Sequence, residues 1–276
     1  MTTVTGRECS GVHYGRTLLG GGLDVTASAI HRLLAEAVGT ALLVLVGAGS
    51  VVATLTVDGE VGYAGLGFIS LAFAIVVAVV IYGFGPVSGA HINPVVTICL
   101  AITRRFPWVD VVPYVLAQTV GGVVGALLIV ATFGTGSVDL GLGATSLGEG
   151  VPYWQGIVAE ALGTFLLLFA VMALAVDSRA PIGWAGLMIG LAVAAAILLI
   201  APQTGGSLNP ARTFGPYLSL AIFGGSVPWS DLGVYLVGPL VGGAAAVLLY
   251  DFIAQTRADK RPAEEESYTP ASAEER

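Results

Sequence analysis

Apolar residues along this chain fall into long blocks separated by short polar or charged connections. Segments 61–90, 111–138, 180–211 and 232–250 contain no Asp, Glu, Lys or Arg, and 33–57 and 151–176 are interrupted only by Glu36 and Glu160. About 20 apolar residues in a helix cross a hydrocarbon core of ~30 Å. The pattern therefore predicts six membrane-spanning helices, each satisfying its backbone polar groups internally.

Composition agrees with that reading. Of 276 residues, 55% are hydrophobic and 11% charged, against roughly a quarter charged in a soluble domain. A water-facing globular surface cannot be covered. Residues 1–29, rich in Thr and Gly, read as a loose arm without the apolar core that marks a cleaved signal peptide. Residues 257–276, with Pro262, Pro270, Glu264, Glu265, Glu266, Glu274 and Glu275, read as a disordered tail. Residues 30–256 form the membrane domain.

Arg7, Arg16 and Arg32 precede the first span, Arg104 and Arg105 follow the second, Arg179 follows the fourth, and Arg257, Lys260, Arg261 and Arg276 follow the sixth. The opposite connections, near Asp58 and Glu60 and over 134–152, carry none, so the excess of positive charge places both termini in the cytoplasm. Arg212 is the one cation left on the outer side. The only lysine, Lys260, lies in the tail, and a phosphate-cradling loop or Schiff-base enzyme would need one inside the fold. Cys9 and Cys99 have no metal-ligand spacing, and a net charge of -7 argues against nucleic acid. No catalytic residue, metal or cofactor is expected.

The chain repeats itself. Residues 114–128 (YVLAQTVGGVVGALL) can be laid over 235–249 (YLVGPLVGGAAAVLL), and 35–40 (AEAVGT) over 159–164 (AEALGT). The repeats run over about 30–135 and 152–256. Three spans per half is an odd number, so the halves sit in the membrane with opposite orientation, and substrate sites in such proteins lie near the midplane where the repeats meet.

At equivalent places in the two repeats lie Ser88-Gly-Ala-His-Ile-Asn-Pro-Val-Val-Thr97 and Thr204-Gly-Gly-Ser-Leu-Asn-Pro-Ala-Arg-Thr213. Asn is a favoured N-cap and Pro a favoured first helical residue, so each reads as an extended Gly-rich segment entering a helix at Pro94 or Pro210. A helix over 94–103 is ~15 Å long at 1.5 Å per residue, about half the core. Two such half-helices entering from opposite faces meet near the centre, with Asn93 and Asn209 at the junction and both positive helix ends pointing inward. Non-helical backbone at that depth is tolerated only in protein or beside water. Gly89, Ala90 and His91, with Gly205, Gly206 and Ser207, are therefore expected to line a pore with their carbonyls.

Asparagine suits the junction because its oxygen can cap the helix while its amide group donates into the lumen. Two such donors occupy both lone pairs of a passing water oxygen, which then cannot accept a proton. Arg212 adds a fixed charge and several donors on the outer side.

These features resemble the aquaporin, or major intrinsic protein, family over roughly residues 32–255. The motif residues are Asn93, Pro94 and Val95 in one half and Asn209, Pro210 and Ala211 in the other, with Val95 standing where the family has Ala. The resemblance implies an all-α integral membrane fold of six transmembrane helices plus two re-entrant half-helices in an inverted repeat. It further implies a passive channel that excludes protons and ions by the pore donors and electrostatic barrier already known for such proteins. Its four-residue outer constriction maps by spacing onto Phe73, Ile197, Gly206 and Arg212. Water-strict members usually have His where this chain has Ile197 and Cys or Thr where it has Gly206; glycerol facilitators usually have Asp where it has Thr213. A mixed filter implies water conduction with leakage of glycerol, urea, ammonia or hydrogen peroxide. The resemblance also implies a homotetramer with one pore per subunit, in the plasma membrane.

Some residues carry two readings. Glu36 and Glu160 are either a proton relay or structural carboxylates accepting N–H groups of the adjacent loop, and the resemblance gives them the second role. His91 is either pH-sensitive at the cytoplasmic mouth or a buried histidine bonded within its loop. Gly121, Gly125, Gly186, Gly190, Gly238 and Gly242 have the spacing that lets helices approach closely. An ion-coupled secondary transporter is the alternative class, since it shares inverted repeats and broken helices.

Overall fold

A computed structural model describes residues 24–254, with side chains from residue 29 onward. The secondary structure among them is wholly helical. Helix α1 (Asp24–Leu43) passes through a π-helical turn (Val44–Ala48) into α2 (Gly49–Asp58). Then follow α3 (Tyr63–Ser88), α4 (Pro94–Ile102), α5 (Trp108–Phe133) and the short α6 (Gly136–Asp139). The second half contains α7 (Tyr153–Val171), extended by a π-helical turn (Met172–Val176), then α8 (Ala185–Thr204), α9 (Pro210–Ile222) and α10 (Leu232–Ala254).

Six stretches are long and apolar enough to cross a membrane: Ala29–Asp58, Tyr63–Ser88, Trp108–Phe133, Tyr153–Val176, Ala185–Thr204 and Trp229–Ala254. These are the six blocks read from the sequence, with α4 and α9 as the two short helices. Helix α4 has 9 residues, ending at Ile102 with Thr103 as its cap, while α9 has 13, so the two are not equal in length. Helix α1 begins at Asp24, inside the segment read as a loose arm; the rest of that arm, and the tail over 257–276, lie outside the described residues.

Packing follows the repeat. Helix α1 lies against α5 and α7 against α10, α1 also meets α3 as α7 meets α8, and α3 packs on α8 between the halves. The short helices reach across the repeat, α9 packing chiefly on α5 and α4 lying between α10 and α5. Close approach is made possible by glycine: a Cβ on Gly121 would strike the carbonyl of Ala37, and one on Gly242 the carbonyl of Ala161. Side chains such as Phe68, Leu116 and Leu199 are exposed, the surface a bundle presents to hydrocarbon.

Ion pairs gather at the ends of the spans to which the charge count assigns the cytoplasmic side. Arg32 meets Asp110 at 2.9 Å and Arg105 forms a two-bond fork on Asp251. Just past the fourth span, Asp177 accepts Arg179 and the Tyr250 hydroxyl. The Arg179 hydrogen bonds hold its carboxyl well below the usual carboxylate range.

Candidate functional site

Both short helices start as the sequence predicts. Asn93 and Asn209 have extended backbone, and their side-chain oxygens accept from Val95 N (2.9 Å) and Ala211 N (3.0 Å). What the sequence did not reveal is the use of the amide nitrogens. Asn93 Nδ2 donates to Leu208 O at 2.9 Å, and Asn209 Nδ2 donates to Ile92 O at 2.7 Å. Each cap thus clasps the loop of the other half, so one amide hydrogen per asparagine, not two, remains for the cavity that both residues line.

The clasped carbonyls belong to residues held in an unusual conformation. Ile92 and Leu208 have φ of 44° and 57°, the left-handed region that β-branched and bulky residues rarely enter. Such strain persists only where the surroundings over-determine it, and here they do. The N–H of Ile92 donates to Glu36 Oε2 at 2.7 Å and that of Leu208 to Glu160 Oε2 at 2.8 Å, while each carbonyl faces the opposite asparagine.

The two glutamates are fully buried and organise their loops alike. Glu36 accepts from Ser88 Oγ (2.7 Å), His91 N (2.9 Å), Ile92 N and Gln118 Nε2 (2.8 Å). Glu160 accepts from Thr204 Oγ1 (2.7 Å), Ser207 N (2.9 Å) and Leu208 N. Tyr114 and Tyr235 donate their hydroxyls to the carbonyls of Ser88 and Thr204, the residues that open the loops.

A cavity of about 90 Å³ is lined by both asparagines. Gly89, Ala90, His91, Ile92, Ser207 and Leu208 line it, whereas Gly205 and Gly206 do not. His91 lies in a ring cluster with Phe106 and Tyr114, its Nδ1 3.1 Å from Thr97 Oγ1 and its Nε2 without a protein partner. Of the four residues expected to form an outer constriction, Phe73, Ile197 and Arg212 line the cavity. Gly206 stands beside Ile197, where a Cβ would touch Ile197 Cα at 3.5 Å. Arg212 is 1% exposed. It donates from one terminal nitrogen to Gly143 O at 2.8 Å, and its Cζ lies 5.2 Å from the centre of the Phe73 ring.

Val95 is buried and is not among the lining residues. Its extra bulk is taken up on the far side, where a Cβ on Gly243 would come within 2.8 Å of Val95 Cγ1 and 3.0 Å of Cys99 Sγ. Val95→Ala is therefore expected to leave conduction unchanged. Gly243→Ala is expected to lower thermal stability in detergent by ~1–3 kcal/mol through overpacking, and combining it with Val95→Ala to restore most of that loss. Melting curves of the three variants measure the compensation.

Ser88 with Thr204, and Tyr114 with Tyr235, join the site beyond the residues expected from sequence, and the repeat, which places each pair at matching positions, is the signal for them. Gln118 has no such signal, because its counterpart in the repeat is Pro239. The Gly143 carbonyl is backbone, which residue chemistry does not disclose.

Residues 25–250 match the model of the family described as Major intrinsic protein. The chain is 45% identical over 246 residues to a probable aquaporin, AqpM, of Archaeoglobus fulgidus, covering 84% of this chain and 100% of that protein. It is 43% identical over 241 residues to the aquaporin AqpM of Methanothermobacter marburgensis, covering 82% and 98%. Its fold matches the X-ray structure of the aquaglyceroporin from Plasmodium falciparum with a TM-score of 0.74 at 22% identity, covering 83% of this chain and 99% of the other.

Proposed function

The chain belongs to the major intrinsic protein family and is an integral membrane channel of the aquaporin type, and from that premise we propose that it conducts water and leaks small uncharged solutes while excluding protons and ions. The observation that carries this reading is the reciprocal clasp of Asn93 and Asn209 across the cavity. It fixes one outward N–H from each residue at the junction of two helix N-termini, whose partial positive charge disfavours cations.

Solute leakage rests on the outer constriction. Ile197 offers no donor, and Gly206 beside it supplies no side chain, so one wall is apolar and the other is Arg212. A carbon-bearing solute loses less by leaving water there than in a throat lined with donors. Stopped-flow shrinkage of proteoliposomes checks this. Water flux above that of empty vesicles is expected, with faster re-swelling in at least one of glycerol, urea, ammonia or hydrogen peroxide; exclusion of every solute as strict as that of salt overturns the leak.

We read the assembly as a homotetramer in the plasma membrane with both termini cytoplasmic, each subunit enclosing its own cavity. The ion-coupled transporter is disfavoured because Glu36 and Glu160 already receive four and three hydrogen bonds from their own loops and neighbours. Flux that saturates or follows membrane potential would restore it.

A further inference from the structure

The π-helical turn Val44–Ala48 touches both walls of the outer constriction without lining the cavity. Gly47 is buried in that turn, and a Cβ placed on it would overlap the Phe73 ring at Cε1, Cζ and Cδ1. The next residue, Ala48, is fully buried and holds up the other wall: a Cβ on Gly143 would strike the Ala48 carbonyl, and Gly143 O is the acceptor that fixes Arg212. One irregular turn therefore backs the aromatic side of the constriction directly and the cationic side through a single glycine. π turns inside α-helices occur frequently at functional sites.

We propose that this turn is the seat of the constriction and that Gly47 is a positioning residue for solute size, letting the Phe73 ring lie back from Arg212 and so setting the aperture. The inference rests on reading Phe73, Ile197, Gly206 and Arg212 as the constriction. The ring has Gly47 against it and the Arg212 guanidinium 5.2 Å from its centre. Phe73 lines the cavity and Gly47 does not. A methyl group at residue 47 overlaps three ring atoms, so accommodating it displaces the ring, and the free space beside the ring is the cavity it shares with Arg212.

The test compares wild type, Gly47→Ala, Phe73→Leu, the double variant, and Gly49→Ala in proteoliposomes, using the largest of water, ammonia, urea and glycerol that the wild type passes. Gly49→Ala is the control within the same helix, since its new methyl would meet Ile129 Cγ1 at 3.6 Å, an ordinary contact. Flux of that largest solute is expected to fall tenfold or more in Gly47→Ala, the scale on which one methyl group discriminates in a fitted pocket. It is expected to hold in Gly49→Ala and to recover when Phe73→Leu is added. If Gly47→Ala does not yield folded protein, the double variant is expected to recover both fold and flux.

Wild-type flux in Gly47→Ala, or a double variant no better than the single one, overturns the proposal. Phe73→Leu alone separates the two claims. If it leaves the order of solutes unchanged, the constriction reading fails; if it changes that order while Gly47→Ala does nothing, only the seat fails.

Discussion

Glu160→Leu is expected to abolish water conduction and most of the folded protein, although Glu160 does not line the cavity. The substitution leaves Ser207 N and Leu208 N without an acceptor in a buried site, while the Thr204 hydroxyl keeps only its longer bond to Ile200 O at 3.3 Å. An unsatisfied buried donor costs ~1–3 kcal/mol, so two amount to ~2–6 kcal/mol, against a typical net stability of ~5–15 kcal/mol. Leu208 would also lose one of the two bonds that hold it at positive φ, and its carbonyl is the acceptor for Asn93. The damage thus reaches the tip of the opposite half-helix. Glu160→Gln keeps the size and one acceptor oxygen but turns an NH2 group toward a donor, and is expected to fall between wild type and leucine. Size-exclusion profiles and vesicle shrinkage report both effects. A leucine variant that is monodisperse and conducts like wild type would remove the carboxylate from this account.

The same geometry explains what could be read from sequence. Six spans are legible because lipid disfavours charge, and an apolar block of about 20 residues or more with at most one charged residue has few other uses. The half-helices are legible because Asn and Pro are favoured at the N-cap and first helical position and the pair recurs at equivalent places of the repeat. The π turns are not, because an all-apolar run such as Val44-Leu-Val-Gly-Ala48 contains no polar register from which a change of pitch can be read. Nor is the route of each asparagine's second hydrogen bond, since both partners, Ile92 O and Leu208 O, are backbone atoms of a distant segment. Gly206 shows the limit of placement by spacing: a position counted along the chain does not say whether the residue lines the cavity, and Gly206 leaves space beside Ile197 instead of forming a wall.

The repeat also accounts for why the tips meet instead of merely approaching. Helix α9 packs chiefly on α5, and α4 lies against α10 as well as α5 of its own half, so each half-helix also touches the other half's last span. The asparagine clasp is exchanged in the same way. A disturbance in one carboxylate therefore cannot stay within its own repeat, and single substitutions around Glu36 and Glu160 are expected to be non-additive, as for residues sharing one network.

Arg212→Val is expected to open the channel in two respects at once. The guanidinium is 1% exposed, lines the cavity, and is fixed by Gly143 O at 2.8 Å, while its Nε is buried without a protein partner. Valine removes both its volume and its charge. At ~5 Å and an effective dielectric of ~20, a unit charge repels a monovalent cation by ~3 kcal/mol. Because 1.4 kcal/mol is tenfold, the cation and proton leak should rise by up to about two orders of magnitude. The two half-helix N-termini remain as a residual barrier, so the variant is not expected to become a free cation pore. The freed volume next to Phe73 and Ile197 is expected to raise glycerol and urea flux as well. Arg212→Lys separates the causes: it keeps the charge but loses the planar fork, so ion exclusion should persist while solute discrimination weakens. Proton leak measured with an entrapped pH dye under an imposed membrane potential, beside solute re-swelling rates, resolves the two. A valine variant as ion-tight and as selective as wild type would show that Arg212 anchors the Gly143 segment and guards nothing.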